Sequence, residues 1–148
     1  MRNKILAGLA IVIALGVGAA LTNTQSRMYV RAYVGDTVSQ YALGKSLIQK
    51  HDKESVRKGL VWLETAALKG NADAQYLLGS AYAYGAIVER NFSLAAKWLK
   101  MAADNHNVRA CANLATLYKM GLGVEKNEKE AERLLDFCRA KGESGSPE

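Results

Sequence analysis

Ala74-Gln75-Tyr76-Leu77-Leu78-Gly79-Ser80-Ala81-Tyr82-Ala83-Tyr84-Gly85, followed by Asn91 and then Ala95-Ala96-Lys97-Trp98-Leu99-Lys100-Met101-Ala102-Ala103, is the stretch from which this 148-residue chain can be read. Ala74, Leu78, Ala81, Tyr82 and Gly85 fall at three- and four-residue steps, the spacing of one helix face. Asn71 stands where it can cap that helix, and Asp73 falls in its dipole-favoured first turn. Gly79, at the edge of the apolar face, predicts the close approach of a second helix. Asn91 predicts the cap of that second helix, whose Ala95, Trp98, Leu99 and Ala102 repeat the same spacing. Helix A and helix B together make one hairpin.

The pattern returns at an offset of 36: Trp62 as Trp98, Asn71 as Asn107, Ala74 as Ala110, Tyr82 as Tyr118, Gly85 as Gly121, Asn91 as Asn127 and Ala95 as Ala131. Upstream, Gln40-Tyr41 and Leu43-Gly44 prefigure Gln75-Tyr76 and Leu78-Gly79 at an offset of 35. A period in the thirties with helical spacing predicts an all-α fold, a right-handed α-solenoid of three helix-turn-helix repeats, each burying its apolar face against a neighbour. The repeats span about 37–70, 71–106 and 107–142. In the first, helix A is expected over about 37–49 and helix B over about 56–69, with Ser55 as the cap of helix B. In the third, Asn127 and Glu130 have the spacing of a capping box. Residues 27–36 are expected to form a linker and partial capping helix over the open end, and 143–148 a disordered tail.

Arg2 and Lys4 precede an uncharged apolar run, residues 5–21, which a polar stretch follows. Such a run predicts an N-terminal hydrophobic helix within residues 1–26, either a cleaved export signal or an uncleaved single transmembrane anchor. The anchor is the preferred reading, and the charge ahead of the run sends the repeats across the membrane. Of the formal net charge of +6, Arg2 and Lys4 carry two, and the remainder is interleaved with acids along the repeats. That spacing lacks the clustering of a nucleic-acid footprint.

Ala-x-x-x-Leu-Gly-x-x-Tyr-x-x-Gly at 74–85, followed by Asn91 and Ala-x-x-Trp-Leu-x-x-Ala-Ala, resembles the Sel-one-like repeat family, short relatives of tetratricopeptide repeats. The resemblance covers about residues 36–142 and implies an α-solenoid used for protein recognition. The third copy departs from it at Ala115, where Gly79 stands in the second, and Gly121-Leu122-Gly123-Val124 keeps a glycine pair that Gly85-Ala86-Ile87-Val88 has lost.

Cys111 and Cys138 lie nearly equidistant from the Gly123-Val124-Glu125 turn, on the apolar faces of the two helices of the last hairpin. Antiparallel helices would set them side by side, which predicts a disulfide; two buried free thiols are the alternative. Ser55 and Lys58 match a Ser-x-x-Lys pattern but lack the other motifs of penicillin-interacting enzymes, and Ser55 has a capping role. His51 and His106 have no ligand set at metal-binding spacing. No catalytic residue, metal, cofactor or small-molecule substrate is therefore expected.

What remains is surface. On the helix A face opposite the core lie Tyr41 and Lys45 in the first repeat, Tyr76, Ser80 and Tyr84 in the second, and Thr116 and Lys119 in the third. In this architecture they would line the concave side, and tyrosine suits an interface because little entropy is lost when it is ordered. The preferred reading is a non-enzymatic envelope protein of a Gram-negative cell that faces the periplasm, is held at the inner membrane if its N-terminal helix is uncleaved, and binds a partner protein there. An immunity or inhibitor protein against a periplasm-acting toxin is the second reading, and a cell-wall or β-lactam-acting enzyme the third.

Overall fold

The computed structural model of the protein describes residues 23–143, and every regular element in them is an α-helix. The chain divides into two compact units, Met1–Lys69 and Gly70–Glu148. The apolar run at 5–21 and the tail beyond Glu143 lie outside the described residues, as does most of the expected N-terminal helix. Among the described residues no helix is long and apolar enough to cross a membrane.

The first unit contains α1 (Thr24–Val34), α2 (Thr37–Ile48) and α3 (Lys53–Leu68). Leu43, Leu47, Leu63, Ala66 and Ala67 are buried, with Ala32 of α1 fully covered against α2. The expected partial cap over 27–36 is thus a longer helix that starts at Thr24, because the Asn23 side chain accepts the Gln25 amide at 2.9 Å and nucleates it earlier. Gly44 and Gly59 face each other so closely that a Cβ on Gly44 would lie 2.9 Å from the Gly59 carbonyl oxygen. Gln40 is buried and donates its Nε2 to the Ala32 carbonyl oxygen at 2.9 Å, which fixes α1 against α2.

The cap of α3 is a correction to the sequence reading. Asp52, not Ser55, is the N-cap: its carboxylate accepts the Ser55 amide at 2.8 Å, so the helix starts at Lys53 and Ser55 stands inside the first turn. Aspartate caps at least as well as serine, so the earlier residue wins.

The second unit contains α4 (Ala72–Tyr84), α5 (Phe92–Asp104), α6 (Val108–Met120) and α7 (Glu128–Glu143). Asn71, Asn91 and Asn107 cap the first three through their side-chain oxygens, as their positions in the repeat predict. Leu78, Leu99 and Leu114 are fully buried leucines, and Ala95, Ala102, Ala103 and Ala110 are buried with them. A Cβ on Gly79 would lie 2.7 Å from Leu99 Cγ, so the glycine does admit the helix B side chain. Asn127 caps α7 by accepting the Glu130 amide at 3.0 Å. The reciprocal half of a capping box is absent: the Glu130 carboxylate holds Arg133 at 2.6 Å, and the Asn127 amide donates to the Tyr118 carbonyl oxygen.

Cys111 and Cys138 are bonded to each other, with Cα atoms 6.3 Å apart and both residues buried. The bond joins α6 to α7, the pairing that the hairpin's symmetry predicts.

A candidate partner-binding cleft on the helix A face

In the second unit α4 and α6 lie near each other, and polar side chains tie α4 to α6 and to the α5–α6 turn. At the base, Asp73 Oδ1 accepts from both Asn107 Nδ2 and Arg109 Nη2 at 2.9 Å. The Arg109 guanidinium lies over the Tyr76 ring, 4.7 Å from its centroid. Gln75, buried one turn in, accepts from Asn105 Nδ2 at 2.9 Å. Midway, Asn113 Nδ2 donates to Ser80 Oγ at 3.4 Å.

Above this ladder the two helices open into a cleft of about 170 Å³ lined by Ala83, Tyr84, Phe92, Leu99, Asn113, Thr116, Leu117 and Leu122. Tyr84 stands at its rim with 73% of its surface exposed, and Met120, its counterpart one repeat on, is 63% exposed. One end is shut by the α6–α7 turn. Gly123 has φ +70°, and the carbonyl of Phe92 occupies the place where a side chain on it would go, so glycine alone lets Leu122 reach the cleft.

The site residues expected from the sequence separate here. Tyr84 and Thr116 line the cleft, and Ser80 is bonded to Asn113 in its lining. Tyr76 is half-buried beneath Arg109 and packs on the core, so it contributes more to holding the repeats together than to an open surface. Lys119 is exposed and forms no ion pair among the described residues. Tyr41 and Lys45 belong to the first unit, where Lys45 Nζ lies 5.9 Å from the centroid of the Tyr41 ring. Phe92, Asn113, Leu117 and Leu122 were not anticipated. Leu122 was legible in the glycine pair around it, but Asn113 has Leu77 as its counterpart one repeat earlier, so periodicity gives no hint of it.

The Ser55 and Lys58 pair is engaged locally, Ser55 through the Asp52 cap and Lys58 in an ion pair with Glu54 at 3.1 Å. Among the described residues no group of three or more histidine, cysteine and acidic residues is placed to hold a metal ion. His51 and His106 instead occupy turns at positive φ, 59° and 65°.

The model of the Sel1 repeat matches residues 37–71, 72–107 and 108–136. Protein sel-1 homolog 2 of Mus musculus is 38% identical over 80 residues, 53% of this chain and 12% of the relative. Protein SHC1 of Saccharomyces cerevisiae is 29% identical over 128 residues, 81% of this chain and 25% of the relative. This chain therefore spans a small part of these curated relatives. Among solved structures, a Sel1 repeat protein from Oxalobacter formigenes superposes with a TM-score of 0.71 at 28% identity, over 78% of this chain and 88% of that one. A protective antigen of uropathogenic Escherichia coli shares the fold with a TM-score of 0.70 at 24% identity, over 95% of this chain and 30% of that one. With three matched copies covering most of helices α2 to α7, the chain belongs to the Sel1 repeat family.

Proposed function

We propose that this protein is an interaction module of a Gram-negative cell envelope, facing the periplasm, which receives a partner protein in the α4–α6 cleft. Repeats of this family are protein–protein interaction modules. The observation that carries the site is the apolar cleft with Tyr84 largely exposed at its rim, where burying an aromatic ring against a partner would contribute most. Two features support the compartment: the disulfide, which persists in oxidising surroundings, and the apolar run at 5–21, read as an uncleaved anchor. No catalytic role is assigned.

Photocrosslinking in cells tests the cleft. A crosslinker at Tyr84 or Thr116 is expected to capture a discrete protein adduct more strongly than one at Lys97, an exposed position on α5. Equal capture from Lys97 would move the binding surface elsewhere. Protease added to spheroplasts tests the compartment: digestion of the repeats without lysis is expected, and protection until lysis would place them in the cytoplasm.

A further inference from the structure

Positive charge is unevenly held. Residues 23–69 carry eight lysines and arginines against four acids, whereas residues 70–143 carry ten against nine. Within the first unit the surplus gathers at one end. The Gln40 to Ala32 bond sets the level of α1 on α2, and the Gly44–Gly59 approach sets α2 on α3. Stepping along these antiparallel helices in opposite directions brings Arg27, Lys45 and Lys58 to one level, and Asn23, Gln49 and Glu54 to the next. Lys50 and Lys53 flank the α2–α3 turn just past them, and Arg57 lies in the second turn of α3. All six cations are exposed.

The acids at this end are already engaged. Asp52 caps α3, and Glu54 holds Arg57 at 2.9 Å and Lys58 at 3.1 Å. Arg27, Lys45, Lys50 and Lys53 form no ion pair among the described residues. This is also the end at which the described chain begins, at Asn23, with only Thr22 between that cap and the apolar run at 5–21.

We propose that this end of the first unit, presenting Arg27, Lys45, Lys50, Lys53, Arg57 and Lys58, docks on the anionic headgroups of the membrane. The inference rests on the anchor reading of residues 5–21. A run embedded in the bilayer leaves too little chain to carry this end beyond the reach of the surface potential, which decays over about 10 Å at ~0.1 M salt. Each lysine or arginine near an anionic surface strengthens attachment roughly fivefold. The docked end orients the first unit on the membrane.

The test uses the full chain with a fluorophore on Gln49→Cys, the native cysteines being bonded to each other. It is reconstituted into vesicles of phosphatidylcholine, or of phosphatidylcholine with phosphatidylglycerol, both carrying a headgroup quencher. Quenching is expected to be severalfold stronger with phosphatidylglycerol and to fall in high salt. It should also be lost in Arg27→Glu/Lys50→Glu/Lys53→Glu, where removal of the three cations alone weakens attachment on the order of a hundredfold. Circular dichroism of that variant should stay helical, since all three positions are exposed. Quenching that is equal in both lipids, or unchanged by the reversals, overturns the proposal, as does capture of an acidic protein by this end without any lipid dependence. Flotation with pure phosphatidylcholine vesicles reports the anchor separately. A chain that fails to float there but binds phosphatidylglycerol vesicles salt-sensitively would refute the anchor and keep the docking surface.

Discussion

Gln40, Gln75 and Cys111 occupy one repeat position, and the exchange in the third copy changes what holds the helices. The two glutamines are buried and hydrogen-bond to a neighbouring helix end or turn; the cysteine is bonded to Cys138, which replaces the core alanines Ala66 and Ala102. The pairing was legible because hairpin symmetry leaves two buried cysteines little choice. The Asp52 cap was not, since Asp52 and Ser55 are comparable capping residues one turn apart and the repeat spacing, with Asn91 and Asn127 as counterparts, points to Ser55. Replacing both cysteines with alanine is expected to lower stability by about 3–4 kcal/mol, as a 27-residue separation implies in the chain-entropy model; denaturant unfolding with and without reductant measures it. His106 shares its turn position with Gly35 and Gly70, all three at positive φ. His106→Gly should therefore gain about 0.5–1 kcal/mol, because relief of left-handed strain exceeds the added chain entropy. Thermal unfolding of the variant checks the sign.

At the scale of helices, the hairpins differ in how closely A and B approach. Glycine faces glycine at Gly44 and Gly59; the matching positions are Gly79 and Ala95 in the second copy, and Ala115 and Ala131 in the third. Gly59→Ala would place a Cβ 2.7 Å from the Gly44 carbonyl oxygen, with backbone on both sides unable to yield. It should cost about 1–3 kcal/mol by denaturant unfolding, as overpacking does. Caps differ too. Asp36 and Asp52 cap α2 and α3, while asparagines cap the helices of the second unit. The Ser39 hydroxyl holds the Asp36 carboxyl below its ordinary value, with Arg31 adding to the effect, and the Ser55 hydroxyl does the same for Asp52. A carboxylate whose folded pKa is depressed contributes stability that is complete above its unfolded value, about 3.9, and is lost as pH falls through the folded one. Hydrogen exchange at descending pH is thus expected to show the first turns of α2 and α3 opening before those of α4, α5 and α6. Simultaneous opening would assign the acid response to something other than the caps.

For the molecule as a whole, the 36-residue period was enough to read paired helices, because each copy buries the same small and apolar positions. The cleft was not legible, since Phe92 and Asn113 in its lining break the repeat, standing where neighbouring copies have Glu128 and Leu77. The last helix shows the same break at its outer surface. In α5, Ala96, Leu99 and Ala103 are buried in the cluster shared with α6, and the matching residues of α7 are Glu132, Leu135 and Arg139. Charge in place of the two alanines seals that surface, as terminal repeats require. Glu132→Ala/Arg139→Ala should raise concentration-dependent self-association above that of the parent protein in sedimentation velocity; unchanged sedimentation would deny these charges a sealing role. An engineer seeking a longer array would accordingly splice a copied module between Asn107 and Val108, where alanine and leucine await it on both flanks, because an extension appended behind α7 would meet a carboxylate and a guanidinium.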